Sequence, residues 1–104
     1  MWCAVANTKW GKIPGKASKG LCYFPYGGKE HSTEDFVKIR RTKFSKTNVG
    51  TTSQGNQTDG HGNLWCAVAN TPHGKIPGKA SKGTCWYSYN GGEHLTQDFE
   101  YVLD

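Results

Sequence analysis

The sequence has few of the residues that build most hydrophobic cores and none of the long segments that cross membranes. No apolar run approaches the about 18 residues that suggest a membrane-spanning helix, and no segment shows a sustained helical period. The N-terminal MWCAVANTKW lacks the basic region and long apolar stretch of a classical signal peptide. These absences argue against a membrane-spanning protein and against a helical fold.

One pattern, WCAVANT..GKIPGKASKG.C, occurs twice, at residues 2–22 and 65–85. At a constant offset of 63, 25 of the 35 positions in 2–36 are identical to their counterparts. One copy is close to the about 40 residues below which a chain rarely folds alone. We therefore expect the two copies to share one core as pseudo-symmetric halves.

The chain is predicted to form a single domain: repeat one at 2–44, a polar connector at 45–63 and repeat two at 64–104. The connector contains no aromatic residue, and its composition predicts a flexible linker or a long exposed hairpin loop. Short alternating segments in both repeats favour an all-β protein, a small antiparallel β-sandwich of two sheets packed face to face.

Two local predictions follow from the same patterns. Residues 12–20 contain a proline and two glycines, which favour an irregular loop. Aliphatic residues are scarce while Trp, Tyr and Phe total 13, so aromatic side chains are expected to supply much of the core. We assign the following four to it: Trp2, Phe36, Trp65 and Phe99.

The positive charge lies in the first half of the chain. Residues 1–50 contain ten Lys and Arg against three Asp and Glu, a balance of +7, and residues 51–104 have a balance of −2. The segment Lys38-Ile39-Arg40-Arg41-Thr42-Lys43 is its densest part. It raises the alternative of a module that binds nucleic acid or an anionic surface, although solvated lysines on loops are the more ordinary interpretation.

The four cysteines occupy equivalent places in the repeats, at Cys3, Cys22, Cys66 and Cys85. One disulfide within each repeat is the simplest pairing, but the sequence alone does not choose among the three connectivities. A four-cysteine zinc site is disfavoured because no two cysteines are closer than 19 positions. Free buried thiols stay open as a third arrangement.

No catalytic arrangement stands out. The segment 11–17 resembles a phosphate-binding loop, but three residues rather than four separate its glycines, and Ala17 replaces the metal-binding Ser or Thr. Glu30-His31 recurs as Glu93-His94, yet adjacent residues on a strand point to opposite faces. We therefore predict that the protein is not an enzyme.

Aromatic rings mixed with amides, carboxylates and glycines are suited to sugars. A sugar packs its C–H face on a ring, while its hydroxyls need fixed donors and acceptors. The candidate sugar contacts are Asn7, Trp10, Tyr23, Tyr26, Glu30 and His31 in repeat one and Asn70, His73, Trp86, Tyr87, Tyr89, Glu93 and His94 in repeat two.

The segments WCAVANTKWGKIPGKASKGLCYFPYGGKEH and WCAVANTPHGKIPGKASKGTCWYSYNGGEH resemble the small tandem-repeat hemagglutinins of plasmodial slime moulds. The order AxA…G…PGK…CY..YGG.EH…F is more distantly similar to the repeat of invertebrate mannose-binding lectins. The first resemblance implies a secreted lectin that binds cell-surface glycans or glycoproteins and agglutinates cells, with a legume-lectin-like sandwich of up-and-down sheets. The second implies that Lys16 and Lys79 contact sugar.

These expectations include no cofactor and no metal, since no clustered set of Asp and Asn ligands for calcium is apparent. No nucleic acid is expected as a partner, and weak self-association stays open. A third hypothesis is a disulfide-stabilised structural or defence protein.

Overall fold

The computed structural model describes residues 2–40, 43–48, 50, 53–58 and 62–103. Strands account for 71% of them and none is helical, which confirms the all-β prediction. Repeat one forms β1 (Trp2–Thr8), β2 (Gly11–Ser18), β3 (Leu21–Tyr26), β4 (Lys29–Thr33) and β5 (Phe36–Lys38). Between the repeats lie β6 (Phe44–Ser45) and β7 (Gly55–Gln57). Repeat two forms β8 (Gly62–Thr71), β9 (Gly74–Ser81), β10 (Thr84–Tyr89), β11 (Gly92–Thr96) and β12 (Phe99–Val102).

The strands close into one hydrogen-bonded circuit. Its order is β2-β3-β4-β11-β10-β9-β8-β7 and back to β2, an antiparallel barrel of eight strands. On one side β1 and then β5 continue outward from β2, and on the other β12 and then β6 continue from β8. We predicted two separate sheets packed face to face, and the described strands instead form a continuous circuit. Within the described ranges no helix has the length and apolar character needed to span a membrane.

The connector is what closes the circuit. Asn56 of β7 pairs with Lys12 of β2, and on its other edge with Asn63 of β8. Gly55 and Gln57 are buried, so this part of the connector is built into the barrel. The prediction of a flexible linker or exposed loop is therefore wrong for β7, although residues 49, 51, 52 and 59–61 of the connector lie outside the described ranges.

Equivalent two-residue turns join the strands in both repeats. Between β2 and β3, Lys19 and Gly20 have φ of 53° and 83°, and between β9 and β10, Lys82 and Gly83 have φ of 51° and 81°. Two successive residues with positive φ form the hairpin turn whose twist matches that of the flanking strands. The matching turns explain how two copies of one sequence form matching hairpins.

The predicted irregular loop at 12–20 is wrong, because most of it belongs to β2. One edge of β2 pairs with β1 along its length, while the other pairs with β7 at Gly11 and Lys12 and with β3 only from Lys16 onward. Pro14 lies in the gap between these two partners, so it interrupts no pairing on that edge. A proline that argues against a strand in the sequence is thus accommodated by the pairing pattern.

Each repeat has its own small core, and a third cluster joins them. The repeat-one core contains Ala4, Ala6, Ile13, Ala17, Cys22 and Phe24, and the repeat-two core contains Ala67, Ala69, Ile76, Ala80, Cys85, Tyr87 and Phe99. Between them, Cys3 and Val5 of β1 meet Cys66 and Val102.

The four aromatic residues predicted to be core differ in their burial. Phe99 is buried, and Phe36 and Trp65 are half-buried and pack against their cores. Trp2 is 54% exposed, so its assignment to the core is wrong. It is the first residue of β1, in register with Ala17 of the repeat-one core.

All four cysteines are buried and free. Cys3 of β1 is in register with Lys16 of β2, and Cys22 of β3 is in register with Ala17 of β2, so β2 lies between the two cysteines. Neighbouring strands are about 4.8 Å apart, so the Cα atoms of Cys3 and Cys22 are separated by two such spacings. This separation exceeds the about 7 Å between Cα atoms that a disulfide tolerates. The bridge within repeat one, the simplest of the arrangements left open by the sequence, is therefore not formed, and the cysteines are free buried thiols.

The same geometry separates the cysteines of repeat two, where Cys66 is in register with Lys79 of β9 and Cys85 with Ala80 of the same strand. Burial, reinforced by the neighbouring Cys66, raises the pKa of the Cys22 and Cys85 thiols to about 12. They are protonated at neutral pH and serve as small apolar side chains in the two repeat cores.

Candidate functional site

A buried lysine of repeat one reaches across the molecule to repeat two. Lys16 is near the middle of β2, and its side chain is almost fully enclosed. Its Nζ donates a hydrogen bond of 2.6 Å to the carbonyl oxygen of Ser88 in β10 and lies 3.2 Å from Oε2 of Glu30. An ammonium is buried only when it is paired, and here a carboxylate and a carbonyl provide that pairing.

Lys79 holds the equivalent place in repeat two, with a different set of partners. Its Nζ lies 3.6 Å from Oε2 of Glu93 and 2.7 Å from Oε1 of Gln57. Gln57 comes from β7, and because the connector occurs once in the chain, Lys16 has no counterpart of this amide. The two lysines therefore have similar burial but different surroundings.

The two glutamates bind each repeat to the turn of the other. Glu93 Oε1 accepts a hydrogen bond of 2.9 Å from the backbone N–H of Gly28, and Glu30 Oε1 accepts one of 3.2 Å from that of Gly91. The backbone N–H groups of Glu30 and Glu93 donate in return to the carbonyls of Gly91 and Gly28, at 2.9 and 3.2 Å. This reciprocal set joins β4 to β11, so each candidate site is completed by the opposite repeat.

The same crossing brings a tyrosine ring to each lysine. Lys16 Nζ lies 5.6 Å from the ring centroid of Tyr89, and Lys79 Nζ lies 5.6 Å from that of Tyr26. Both distances fall within the range at which a ring face attracts a cation. The structure thus brings predicted site residues together in two ways. Lys16 meets Glu30 and Lys79 meets Glu93 within their repeats, while Lys16 meets Tyr89 and Lys79 meets Tyr26 across the junction of the repeats.

The Glu30 carboxylate is held in its charged form. Its partial burial favours the neutral acid, but the Ser88 hydroxyl, the Lys16 ammonium and the Gly91 N–H together outweigh that effect. As a result the pKa of Glu30 is lower than its ordinary value. At neutral pH the site presents a fixed negative acceptor beside a fixed positive donor.

In repeat one this pair opens on a cavity of about 270 Å³. Lys16 and Glu30 line it together with Ser18 at the end of β2 and Tyr23 of β3. Tyr23 is in register with Lys16 on the neighbouring strand, so the two side chains lie on the same face of the sheet and both line the cavity. The cavity combines an aromatic ring, a hydroxyl, an ammonium and a carboxylate.

The other aromatic candidates of repeat one form a cluster at the first hairpin. Trp10 stacks on Tyr26 with ring centroids 4.3 Å apart, and the ring of His31 is 5.1 Å from Trp10. A ring nitrogen of His31, Nε2, is 2.9 Å from the Tyr26 carbonyl oxygen. These side chains pack on one another and on the repeat-one core, which gives them a structural role whatever they bind.

Repeat two has a smaller version of this cluster. His73 stacks on Tyr89 with centroids 4.1 Å apart, and His94 stacks on Tyr87 at 5.5 Å. Tyr87 is one of the predicted sugar contacts, but it is buried in the repeat-two core, so its role in core packing is sufficient to explain its position.

Asn7 and Asn70 lie apart from both lysine sites. Asn7 Nδ2 donates to Asp35 Oδ1 at 2.9 Å, and Asn70 Nδ2 donates to Asp98 Oδ1 at 3.0 Å. Each bond connects the end of the first strand of its repeat to the aspartate that directly precedes the last strand of that repeat. The bond to Asn70, followed by one to Lys46, also lowers the pKa of Asp98.

Three residues of the site were not predicted: Ser18, Gln57 and Ser88. Ser18 is identical in both repeats and follows the PGKA pattern directly, so the repeat itself marked it. Gln57 and Ser88 carry no such signal, because they reach the lysines only through the closure of the barrel. No local pattern in the sequence connects them to Lys16 or Lys79.

Among the described residues, no group of three or more His, Cys, Asp or Glu side chains is arranged to hold a metal ion. The basic segment 38–43 is described only in part, since Arg41 and Thr42 lie outside the described residues. No model of a known protein family matches the chain, and no curated protein matches it.

Proposed function

We propose that the protein is a non-catalytic lectin that binds a neutral sugar residue in the cavity formed by Lys16, Ser18, Tyr23 and Glu30. The observation that carries the proposal is this cavity, in which a buried ammonium and a carboxylate meet a half-buried tyrosine. The resemblance to slime-mould hemagglutinins and invertebrate mannose-binding lectins supports the same function. On the basis of this resemblance we also propose that the protein is secreted.

The chemistry of the cavity matches that of a sugar ring. The Lys16 ammonium and the Ser18 hydroxyl donate hydrogen bonds, while the Glu30 carboxylate accepts them. The Tyr23 ring offers a surface for the C–H face of the sugar. Because Lys16 and Glu30 are already held by Ser88 and Gly91, little side-chain entropy is lost when a ligand binds.

The repeat-two counterpart differs in one respect that bears on affinity. The neutral acceptor beside Lys79 is the side-chain amide of Gln57, whereas beside Lys16 it is the backbone carbonyl of Ser88. We infer that the two repeats bind sugar with different affinities. Two unequal sites on one rigid body are sufficient to link cells, since the second contact gains from effective concentration.

Titration with neutral mono- and oligosaccharides, followed by NMR at low and moderate salt, tests the proposal. Saturable shifts are expected at Ser18, Tyr23 and the Lys16 side chain, and they should hardly change with salt because the ligand is uncharged. Tyr23→Ala should weaken binding at least about tenfold, about 1.4 kcal/mol.

Trp86→Ala, at the matching place in repeat two, is the control and should leave the repeat-one shifts unchanged. The proposal is wrong if no neutral sugar produces saturable shifts. It is wrong in its placement if Trp86→Ala abolishes binding while Tyr23→Ala does not.

A further inference from the structure

One end of repeat one differs from its copy in the exposure of a tryptophan. Trp2 and Trp65 begin the same pattern, yet Trp2 is 54% exposed while Trp65 is half-buried against the repeat-two core. The residue that differs nearby is Lys38, whose counterpart at the same offset is Tyr101. Tyr101 packs edge-on against Phe99 with ring centroids 5.0 Å apart and joins the repeat-two core.

In repeat one, the Lys38 side chain does not pack on the core as Tyr101 does in repeat two. Its Nζ lies 5.3 Å from the centroid of the Trp2 ring, a cation–π arrangement at the surface. A cavity of about 180 Å³ is left, lined by Trp2, Ser18, Lys19, Phe36 and Lys38 and by the start of the β2–β3 turn. Two lysines and two aromatic residues therefore border one small cavity.

The charge around this cavity has one sign. Among the described residues that line it there is no carboxylate, and the exposed Arg40 follows Lys38 by two positions. It is thus unlike the Lys16 cavity, where Glu30 neutralises the lysine. A neutral sugar has no need of two unpaired ammonium groups, and a bare inorganic anion has no need of a tryptophan face.

We propose that this second cavity binds a single sugar residue that carries a sulfate or a carboxylate. The ring of the ligand packs against Trp2, and its anionic group lies between Lys19 and Lys38. The volume is below the about 300 Å³ at which pockets for larger ligands begin, which favours one charged residue over a longer chain. The site goes beyond the proposed function, since all its lining residues except Ser18 are different from those of the Lys16 cavity and it takes a charged ligand.

The test uses the Trp2 indole N–H signal in NMR spectra of the whole chain, assigned with Trp2→Phe. The probes are N-acetylglucosamine 6-sulfate and glucuronic acid, each paired with its uncharged parent sugar, and inorganic sulfate and adenosine monophosphate. Saturable Trp2 shifts with either charged sugar, at least about tenfold tighter than with its parent, support the proposal and identify the anionic group.

Matched variants separate the site from general charge attraction. Lys38→Tyr, which installs the repeat-two residue, should weaken charged-sugar binding at least tenfold, and Lys38→Gln should do the same without adding a ring. Lys19→Gln should weaken it about threefold or more. Lys82→Gln, at the same turn position in repeat two, removes an equal charge and should leave it unchanged.

Three outcomes overturn the proposal. The first is that Lys82→Gln weakens charged-sugar binding as much as Lys19→Gln does. The second is that inorganic sulfate binds as tightly as the charged sugars. The third is that, of all the probes, only adenosine monophosphate shifts the Trp2 signal. Shifts at Tyr23 with neutral sugars, recorded on the same samples, report on the Lys16 cavity. Failure at Trp2 with success at Tyr23 would therefore leave the lectin proposal standing, and the reverse would leave the anionic site standing.

Discussion

Repeat one and repeat two have similar sequences and the same order of strands, but they differ in how far equivalent side chains are packed and enclosed. In repeat two, Lys79 is enclosed by Glu93 and Gln57, and Trp65 and Tyr101 pack on the core. In repeat one, the corresponding lysine and tryptophan border cavities. Lys79 and Trp65 are less exposed than Lys16 and Trp2, and in this sense we call repeat two the closed repeat and repeat one the open repeat.

The difference has two physical sources. The first is the connector, which occurs once and places Gln57 beside one lysine only. The second is the substitution of a tyrosine by a lysine at position 38, which removes a core ring and adds a surface charge. Duplication supplies two similar folds, and the connector strand and the residue at position 38 both contribute to the difference between their surfaces.

The largest expected effect comes from removing the enclosed ammonium. Lys79→Met leaves the Glu93 carboxylate and the Gln57 amide oxygen without their cation, and we expect a loss of about 3 to 5 kcal/mol in the free energy of unfolding. Lys16→Met should cost less, about 1 to 3 kcal/mol, because water in the neighbouring cavity can reach Glu30 and the Ser88 carbonyl. Urea unfolding of both variants measures the difference. Equal losses would contradict the contrast between a closed and an open repeat.

A smaller effect is expected at Glu30, and it depends on pH. Because the pKa of Glu30 is lower in the folded protein, ionised Glu30 stabilises the fold above the pKa of an unfolded glutamate, about 4.3. This stabilisation is lost as pH falls through the lower folded pKa. Glu30→Gln should therefore cost about 1 to 2 kcal/mol at pH 7, and the gap to the unchanged protein should shrink below about pH 4.

Urea midpoints measured between pH 3 and pH 7 test that prediction, with Glu34→Gln as the control for loss of an exposed carboxylate. A gap that stays constant over this range would show that the charge of Glu30 does not contribute. A similar pH dependence in the control would assign the effect to net charge instead of the pairing with Lys16.

The smallest expected effect lies in the turn that each glutamate binds. Gly27 has φ of 63°, and the matching residue of repeat two is Asn90 with φ of 54°. A Cβ added at Gly27 meets no atom within 4 Å. Since asparagine tolerates this conformation and restricts the unfolded chain more than glycine does, Gly27→Asn should stabilise the protein by about 0.4 to 1 kcal/mol.

Gly27→Val serves as the opposite control, because a β-branched residue is strained at positive φ, and it should destabilise the protein by about 1 to 3 kcal/mol. Thermal unfolding of the two variants gives the comparison. If Gly27→Asn destabilises the protein as much as Gly27→Val, the turns of the two repeats are not interchangeable.

The local part of the candidate site was accessible to sequence reasoning. Lys16 and Lys79 were singled out by resemblance, and Glu30 and Glu93 as carboxylates that recur among aromatic residues and amides in both repeats. The reciprocal bonds between each glutamate and the opposite glycine turn were not predicted, because they join residues more than 60 positions apart. Trp2 was assigned to the core from its residue type, and its exposure depends on a lysine 36 positions away.

The sequence by itself determined the all-β class and the recurrence of one pattern of strands and turns in the two repeats, but it did not indicate β2 or β7. These features follow from alternation, glycine placement and repetition, which act over a few neighbouring residues. The tertiary structure decided the closure of the barrel by β7, the separation of the two cysteines of each repeat by an intervening strand and the inequality of the two repeats. These depend on which strands become neighbours, and strand pairing across a long chain distance is set by the packing of the whole molecule.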